Sequence, residues 1–445
     1  MLTAAVPGPL ASSALESRLF QVGLVLVPLI TVAVLAIAAF VSGLEQGFDL
    51  ENVLSLLAIC LALVVVRGTG AEFPFLLMML HLLVLSIYAV FFLKAAMLEL
   101  PKYYAIVNPE VGVLWLAIYP LCVACGVKAA ALWLRRRYPA VELTGPQLPR
   151  LVLFPAWCLA IVFGFIDPRI EDVFSIVVMH NVIPLLTVLL MLRTRSLSLR
   201  ALLIVISLGV AAHTTYRYLF ACYLLCYFLT YLLRVRTVPR WLLLRLAVLV
   251  AVGCVAFYGI TLLKYGEYQE GHAFVRTMLI EAHAAMRVKQ SVDEGFAFGF
   301  KENQEMADYW WSLVPFTGKP LNSGTFTFYI ARTGLDPDEP IPYLPPPAPA
   351  ELYLTGGLPA VVIGAFIHGL LLGWAWPMAR LFRDSPVQAA MFVLITTMLI
   401  GIGSGIDLYG RFEAVKWVLY VGLALWLLAS FFWRGVFVQR RPVTA

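Results

Sequence analysis

Residues 20–42 read FQVGLVLVPLITVAVLAIAAFVS, a run without one charged side chain. As a helix rising 1.5 Å per residue it would be about 34 Å long, enough to cross a hydrocarbon core of about 30 Å. Working outward, similar runs recur near 50–66, 73–96, 111–134, 151–166, 173–192, 200–212, 216–233, 241–263, 352–378, 386–406 and 413–433. Composition agrees: 62% of residues are hydrophobic, 13% are charged and mean hydropathy is +0.88. That charged share is about half of what soluble domains carry. Lipid offers no partner to an open backbone group, so each run must be a helix. The first run is too long for a cleaved leader and lacks a small-residue cleavage site, so it is expected to stay as an anchor. The expectation is an all-α, polytopic membrane protein with about twelve transmembrane helices.

Charge tests this count without using hydropathy. With both ends of the chain on one side, that side collects Arg135–Arg137 and Arg150, then Arg193, Arg195 and Arg200, then Arg234, Arg236 and Arg240, then Arg380 and Arg383, and finally Arg440 and Arg441. Positive residues mark the cytoplasmic side, so both termini are expected in the cytoplasm. The chain then divides into spans one to nine (1–263), a large external loop (264–350), and three last spans with a cytoplasmic tail (351–445). All seven cysteines fall in the predicted spans, so the loop has no disulfide. Cys122 and Cys125, in CVAC, lack a second pair and read as packing residues.

The loop opens with KYGEYQEGHAFVRTMLIEAHAAMRVKQ (264–290), where Phe274, Met278, Ala282 and Ala285 share a helical stripe. The Trp310–Trp311 pair follows, and DPDEPIPYLPPPAPA (336–350) closes the loop as an extended strap or linker. Arg169, Arg217, Arg276, Arg287, Arg332 and Arg411 also lie on this outer side. The planar guanidinium grips phosphate oxygens bidentately, which lysine cannot do. Arg169 has Asp167, Glu171 and Asp172 beside it as alternative partners, and Arg411 has Asp407 and Glu413. Arg217, in HTTYRYLF (213–220), has no acid within twelve residues and opens a helix, where a cation is unfavourable unless an anion compensates it. His213, His272 and His283 also face outward and can serve as bases. His81, His180 and His368 lie inside apolar runs and read as packed core.

Several classes are excluded by motif. No G-x-x-x-x-G-K-[ST], H-E-x-x-H or G-x-S-x-G occurs, which argues against an ATPase, a zinc hydrolase and a serine hydrolase. Outer-face arginines without metal or nucleotide motifs suit a substrate that arrives activated, such as a glycan on a polyprenyl pyrophosphate.

LLKYGEY (262–268), LVPFTGKPLNSGTF (313–326) and AELYLTGGLPAVVIGAFIHGLLLG (350–373), in that order and preceded by HTTYRYLF, resemble the Wzy-type oligosaccharide repeat-unit polymerases, which make enterobacterial common antigen and O antigen. The resemblance covers roughly 201–372. It implies a GT-C-like fold in the bacterial inner membrane and a metal-independent glycosyltransferase without a cofactor. Such an enzyme moves a growing glycan from undecaprenyl pyrophosphate to the non-reducing end of a new lipid-linked unit on the periplasmic face. The implied partners are the lipid-linked oligosaccharide, membrane lipid and a chain-length regulator, with no nucleic acid. Arg217 would grip the pyrophosphate, Arg287 would come from the loop helix, and Lys319, Asn322, Glu351 and Tyr353 would line the sugar or phosphate site. The catalytic set is therefore expected to be Arg217, Arg287, Glu351 and His213. Substrate binding is expected at Arg169, Tyr216, Arg276, Lys319, Asn322, Arg332, Tyr353 and Arg411. The family's R-x10-G loop pattern is absent after Arg287, because Gly299 falls one place late. Glu351 also fits a plain helix cap. Alternatives are an O-antigen ligase-like transferase, a polyprenyl-glycan flippase or transporter, and a monosaccharide transferase using Glu45, Asp49 or Glu51, acids that otherwise read as a solvated loop.

Overall fold

The computed structural model describes residues 14–42, 50–83, 87–88, 113–137, 142–143, 148–166, 175, 177–214, 217–234, 285–286, 288–290, 292–294, 347–402, 408–432 and 439–440. These residues form helices: α1 (Ala14–Ser42), α2 (Leu50–Val66), α3 (Glu72–Leu82), α4 (Leu114–Arg137), α5 (Arg150–Ile166), α6 (Ile183–Arg193), α7 (Leu197–His213), α8 (Arg217–Arg234), α9 (Ala348–Leu381), α10 (Pro386–Ile402) and α11 (Leu408–Phe432). A π-helical turn, Val178–Val182, runs directly into α6. The one departure from helix is a two-residue antiparallel pairing of β1 (Glu142–Leu143) with β2 (Gln439–Arg440). The expected run near 241–263 lies outside the described residues.

Among the described residues, three helices are long and apolar enough to cross a membrane: Leu15–Ile37, Leu114–Arg137 and Gly356–Leu381. The other apolar helices have 10–17 residues. Their outward faces carry what water would reject: Leu159 is 72% exposed, Leu29 65%, Val205 65% and Ile363 61%. Apolar surface in that amount needs lipid against it. The protein is thus a membrane-embedded, all-helical bundle.

Because lipid removes the hydrophobic drive between helices, close packing and polar pins must hold the bundle. The tightest contact joins α4 to α9. Gly126 and Ala130 on α4, and Gly369 and Gly373 on α9, are each four residues apart, so their backbones meet without side chains between them. A Cβ on Gly369 would lie 2.0 Å from the Val123 carbonyl oxygen, and one on Gly126 would lie 2.2 Å from that of Phe366. Elsewhere polar side chains cross between helices. Trp157 Nε1 on α5 donates to Thr187 Oγ1 on α6 at 2.8 Å. The hydroxyls of Tyr227 on α8 and Ser207 on α7 lie 2.7 Å apart.

The basic residues sort the helix ends. Arg135, late in α4, donates to the Gly68 carbonyl between α2 and α3. Arg150, opening α5, reaches the Arg193 carbonyl that closes α6. Arg383, just after α9, donates to the Arg234 carbonyl closing α8 at 2.7 Å. Arg380 of α9 pairs with Glu16 of α1 at 2.6 Å. Five connections therefore share one arginine-rich end. The β1–β2 pairing adds the C-terminal segment to the connection that follows α4. The opposite end holds the starts of α2, α4, α8 and α9.

Candidate functional site

At the end away from the arginines, α9 is not one rod. Its prolines, Pro347 at the N-cap and Pro349 in the first turn, sit where no backbone N–H is needed. Gly356 and Gly357 then break the helical path, Gly357 at φ 65°, a left-handed conformation that a side chain would strain. The break sets residues 348–355 apart as a short helical segment. That segment is buried, with Ala350 at 0%, Leu354 at 2% and Glu351 at 4% exposure.

Its Tyr353 ring packs on Trp115, at the start of α4, with centroids 5.0 Å apart. Tyr353 Oη donates to Asp293 Oδ1 at 2.9 Å. Asp293 Oδ2 accepts from Lys289 Nζ at 2.5 Å, one helical turn away, and Lys289 Nζ lies 5.1 Å from the Tyr353 ring centroid. The described residues Lys289 and Asp293 thus meet the opening of α9 through a cation, a carboxylate and a phenol. Burial alone pulls the Lys289 ammonium down. The hydrogen bond to Asp293, together with Tyr353, reverses this and holds the group above its ordinary value.

Deeper in the bundle a polar pair joins α4 and α9. Tyr119 Oη lies 2.7 Å from His368 Nδ1, and His368 Nε2 lies 2.8 Å from the Leu399 carbonyl oxygen. A carbonyl only accepts, so Nε2 carries the proton. The neutral ring then accepts at Nδ1 from the Tyr119 hydroxyl. Both ring nitrogens are taken, and His368 pins α4, α9 and α10 together, as a packed core histidine does.

His213 ends α7 and is exposed at this same end, its ring 5.8 Å from that of Phe165. The intervening Thr214 is buried, its Oγ1 donating to the Ala211 carbonyl at 2.8 Å. Arg217 is the first residue of α8, four residues after His213. Helix α10 packs against both α8 and α9.

Of the expected site residues, Glu351 and Tyr353 come together on one buried segment, while His213 closes α7 and Arg217 opens α8. For Arg217, and for Arg411 within α11, the backbone alone is described. Arg169, Tyr216, Arg276, Arg287, Lys319, Asn322 and Arg332 lie outside the described residues. Glu351 falls in the first turn of α9, where a carboxylate suits the helix N-terminus. One sequence reading needs correction. Glu51 is not a solvated loop acid: its Oε1 accepts the Leu114 N–H at 2.8 Å, capping α4 from α2. Sequence reasoning missed Lys289, Asp293, Trp115 and Tyr119. The i,i+4 spacing of Lys289 and Asp293 was the available signal for the first two.

Compared with models of known families, with characterised proteins and with solved structures, the chain matches none of them. The arrangement itself supplies a buried carboxylate, an ammonium held in the charged form, and two aromatic faces at one end of a membrane bundle. Such groups can deprotonate a hydroxyl, hold a phosphate charge and stack on a sugar ring.

Proposed function

We propose that the protein polymerises lipid-linked glycan repeat units. It would move the growing glycan from undecaprenyl pyrophosphate onto the non-reducing end of an incoming unit at the periplasmic face of a bacterial inner membrane. The observation that carries this reading is the docking of Lys289 and Asp293 on the buried Glu351–Tyr353 segment, at the end of the bundle away from the arginines. The positive-inside rule makes that end periplasmic and leaves both termini in the cytoplasm. About twelve spans in a GT-C-like arrangement belong to the same proposal.

In this mechanism Glu351 takes the proton of the acceptor hydroxyl as the hydroxyl attacks the anomeric carbon. The bond from that carbon to the diphosphate oxygen breaks, and the diphosphate leaves with the electron pair. Arg217 and Lys289 hold its charge, and Trp115 and Tyr353 face the sugars. The donor supplies the activation, so no cofactor is required.

The test is incubation of the purified protein with synthetic lipid-linked repeat units in EDTA, with products resolved by size. A ladder of multiples is expected, and Glu351→Gln and Arg217→Ala should each remove it. No ladder from the folded protein under any lipid condition overturns the proposal. Transfer of intact glycan to a lipid A core acceptor in place of a ladder would assign the protein to the ligases instead.

A further inference from the structure

A second site lies at the arginine-rich end, between α5, α6 and α7. It is a cleft of about 530 Å³ lined by Arg150, Leu151, Phe154, Pro155, Arg195 and Leu199, among others. The nearby arginines divide into two groups. Arg200 donates to the Thr194 and Arg195 carbonyls at 2.8 and 2.9 Å, and Arg234 to the carbonyls of Met191 and Thr194. These two tie down the α6–α7 connection. Arg195 differs: its guanidinium lines the cleft and is exposed, and no partner for it is found among the described residues. Arg150 gives one N–H to the Arg193 carbonyl and is otherwise exposed in the same cleft. Arg193 Nη1 is buried, with no hydrogen-bond acceptor among the described residues.

Two cations with spare donors, Arg150 and Arg195, meet in the cleft where two helices begin. The opening turns of α5 and α7 present backbone N–H groups and the positive ends of their dipoles, which favour an anion and disfavour bare arginines. Among the described residues no acid lines the cleft. The remaining wall is apolar and faces outward: Leu151 is 89% exposed, Phe154 46% and Leu199 38%. The ligand that fits is anionic at one end and an alkyl chain at the other.

We propose that this cleft binds one anionic phospholipid, its phosphate between Arg150 and Arg195 and its acyl chains along Leu151, Phe154 and Leu199. The volume falls within the range of about 300–1,000 Å³ typical of small-ligand sites, and basic pockets between membrane helices are a recurrent way to hold such headgroups. The site is separate from the glycan chemistry and does not rest on it.

Native mass spectrometry of the full-length protein in detergent tests the idea, titrating phosphatidylglycerol and phosphatidylcholine with identical chains. Phosphatidylglycerol should be retained preferentially. Arg195→Gln should weaken its retention about fivefold and Arg150→Gln with Arg195→Gln about twentyfold, as expected for one or two charges at a membrane surface. Arg136→Gln, an exposed arginine at the end of α4 outside the cleft, should leave retention unchanged. Equal retention of the two lipids by the wild type overturns the proposal whether or not the variants fold. So does displacement of the lipid by millimolar inorganic phosphate, which would make this a free-anion site.

Discussion

Replacing Gly369 by alanine adds one methyl group at the closest approach of α4 and α9. That carbon would sit 2.0 Å from the Val123 carbonyl oxygen and 2.8 Å from its carbonyl carbon, where separations under 3.0 Å are essentially never seen. The obstacle is backbone, so no rotamer change relieves it. The helices must part by about 1 Å, and overpacking of this kind costs about 1–3 kcal/mol. Parting them also stretches the 2.7 Å contact of Tyr119 with His368, the residue just before Gly369, and a buried hydrogen bond contributes about 0.5–1.5 kcal/mol.

Gly209→Ala is the matched control. It lies inside α7, and the nearest atom to its added Cβ would be Phe165 Cζ at 3.8 Å. There the methyl meets no obstacle, and the helix gains up to about 1 kcal/mol from the higher propensity of alanine. Thermal unfolding in a fixed detergent, followed by tryptophan fluorescence, should place Gly369→Ala several degrees below wild type and Gly209→Ala at or slightly above it. Coincident melting of the two variants would refute the account of how α4 and α9 meet.

The opposite end offers a second test: Arg380→Ala removes the 2.6 Å ion pair to Glu16, 1% exposed, and should cost about 3–5 kcal/mol. Glu16→Gln should cost less, because the amide oxygen can still accept from Trp376 Nε1; equal losses of thermal stability would contradict this. The loop dock has a pH signature on the alkaline side. Lys289 is held above its ordinary value of 10.5, so its contribution is complete below that value and disappears as pH rises through the higher folded value. Trp115 fluorescence should therefore be flat from about pH 6 to 9 and change above about 10.5. Lys289→Met should remove the change, and a transition near neutrality would contradict it.

The helices were legible because lipid imposes one rule on every residue of a span. The runs at 50–66 and 151–166 needed no knowledge of their neighbours to be read as α2 and α5. The shared arginine-rich end was legible for a related reason, since alternation along the chain fixes which ends meet, and Arg150 does meet Arg193. The site was legible only in part. Glu351 stood out directly ahead of an apolar run, and Tyr353 came only with the resemblance. Tyr119 and His368 are 249 residues apart, inside spans that read as plain core, and local spacing cannot pair them. Gly126 and Gly369 were unreadable for the same reason: a glycine in a helix shows its purpose only against the opposite backbone.

Energetics decide which half of the proposed site must move to admit a lipid-linked sugar. The Glu351 segment is buried and packs through Tyr353 on Trp115 of α4, a helix in backbone contact with α9. Displacing it means opening that contact. The facing half has buried apolar anchors in Ala285, Met286 and Val288, but its polar contacts are weak. Lys289 and Asp293 form a partly exposed i,i+4 pair, a kind that contributes about 0.3–0.5 kcal/mol, and Tyr353 adds one part-buried hydrogen bond of about 1 kcal/mol. Releasing Asp293 from Tyr353 thus costs little beside parting α4 from α9. Entry should proceed by breaking the Asp293–Tyr353 hydrogen bond while the buried residues on either side, Met286 and Val288 on one and Glu351 on the other, stay in place. The proposed base would then be fixed before substrate arrives.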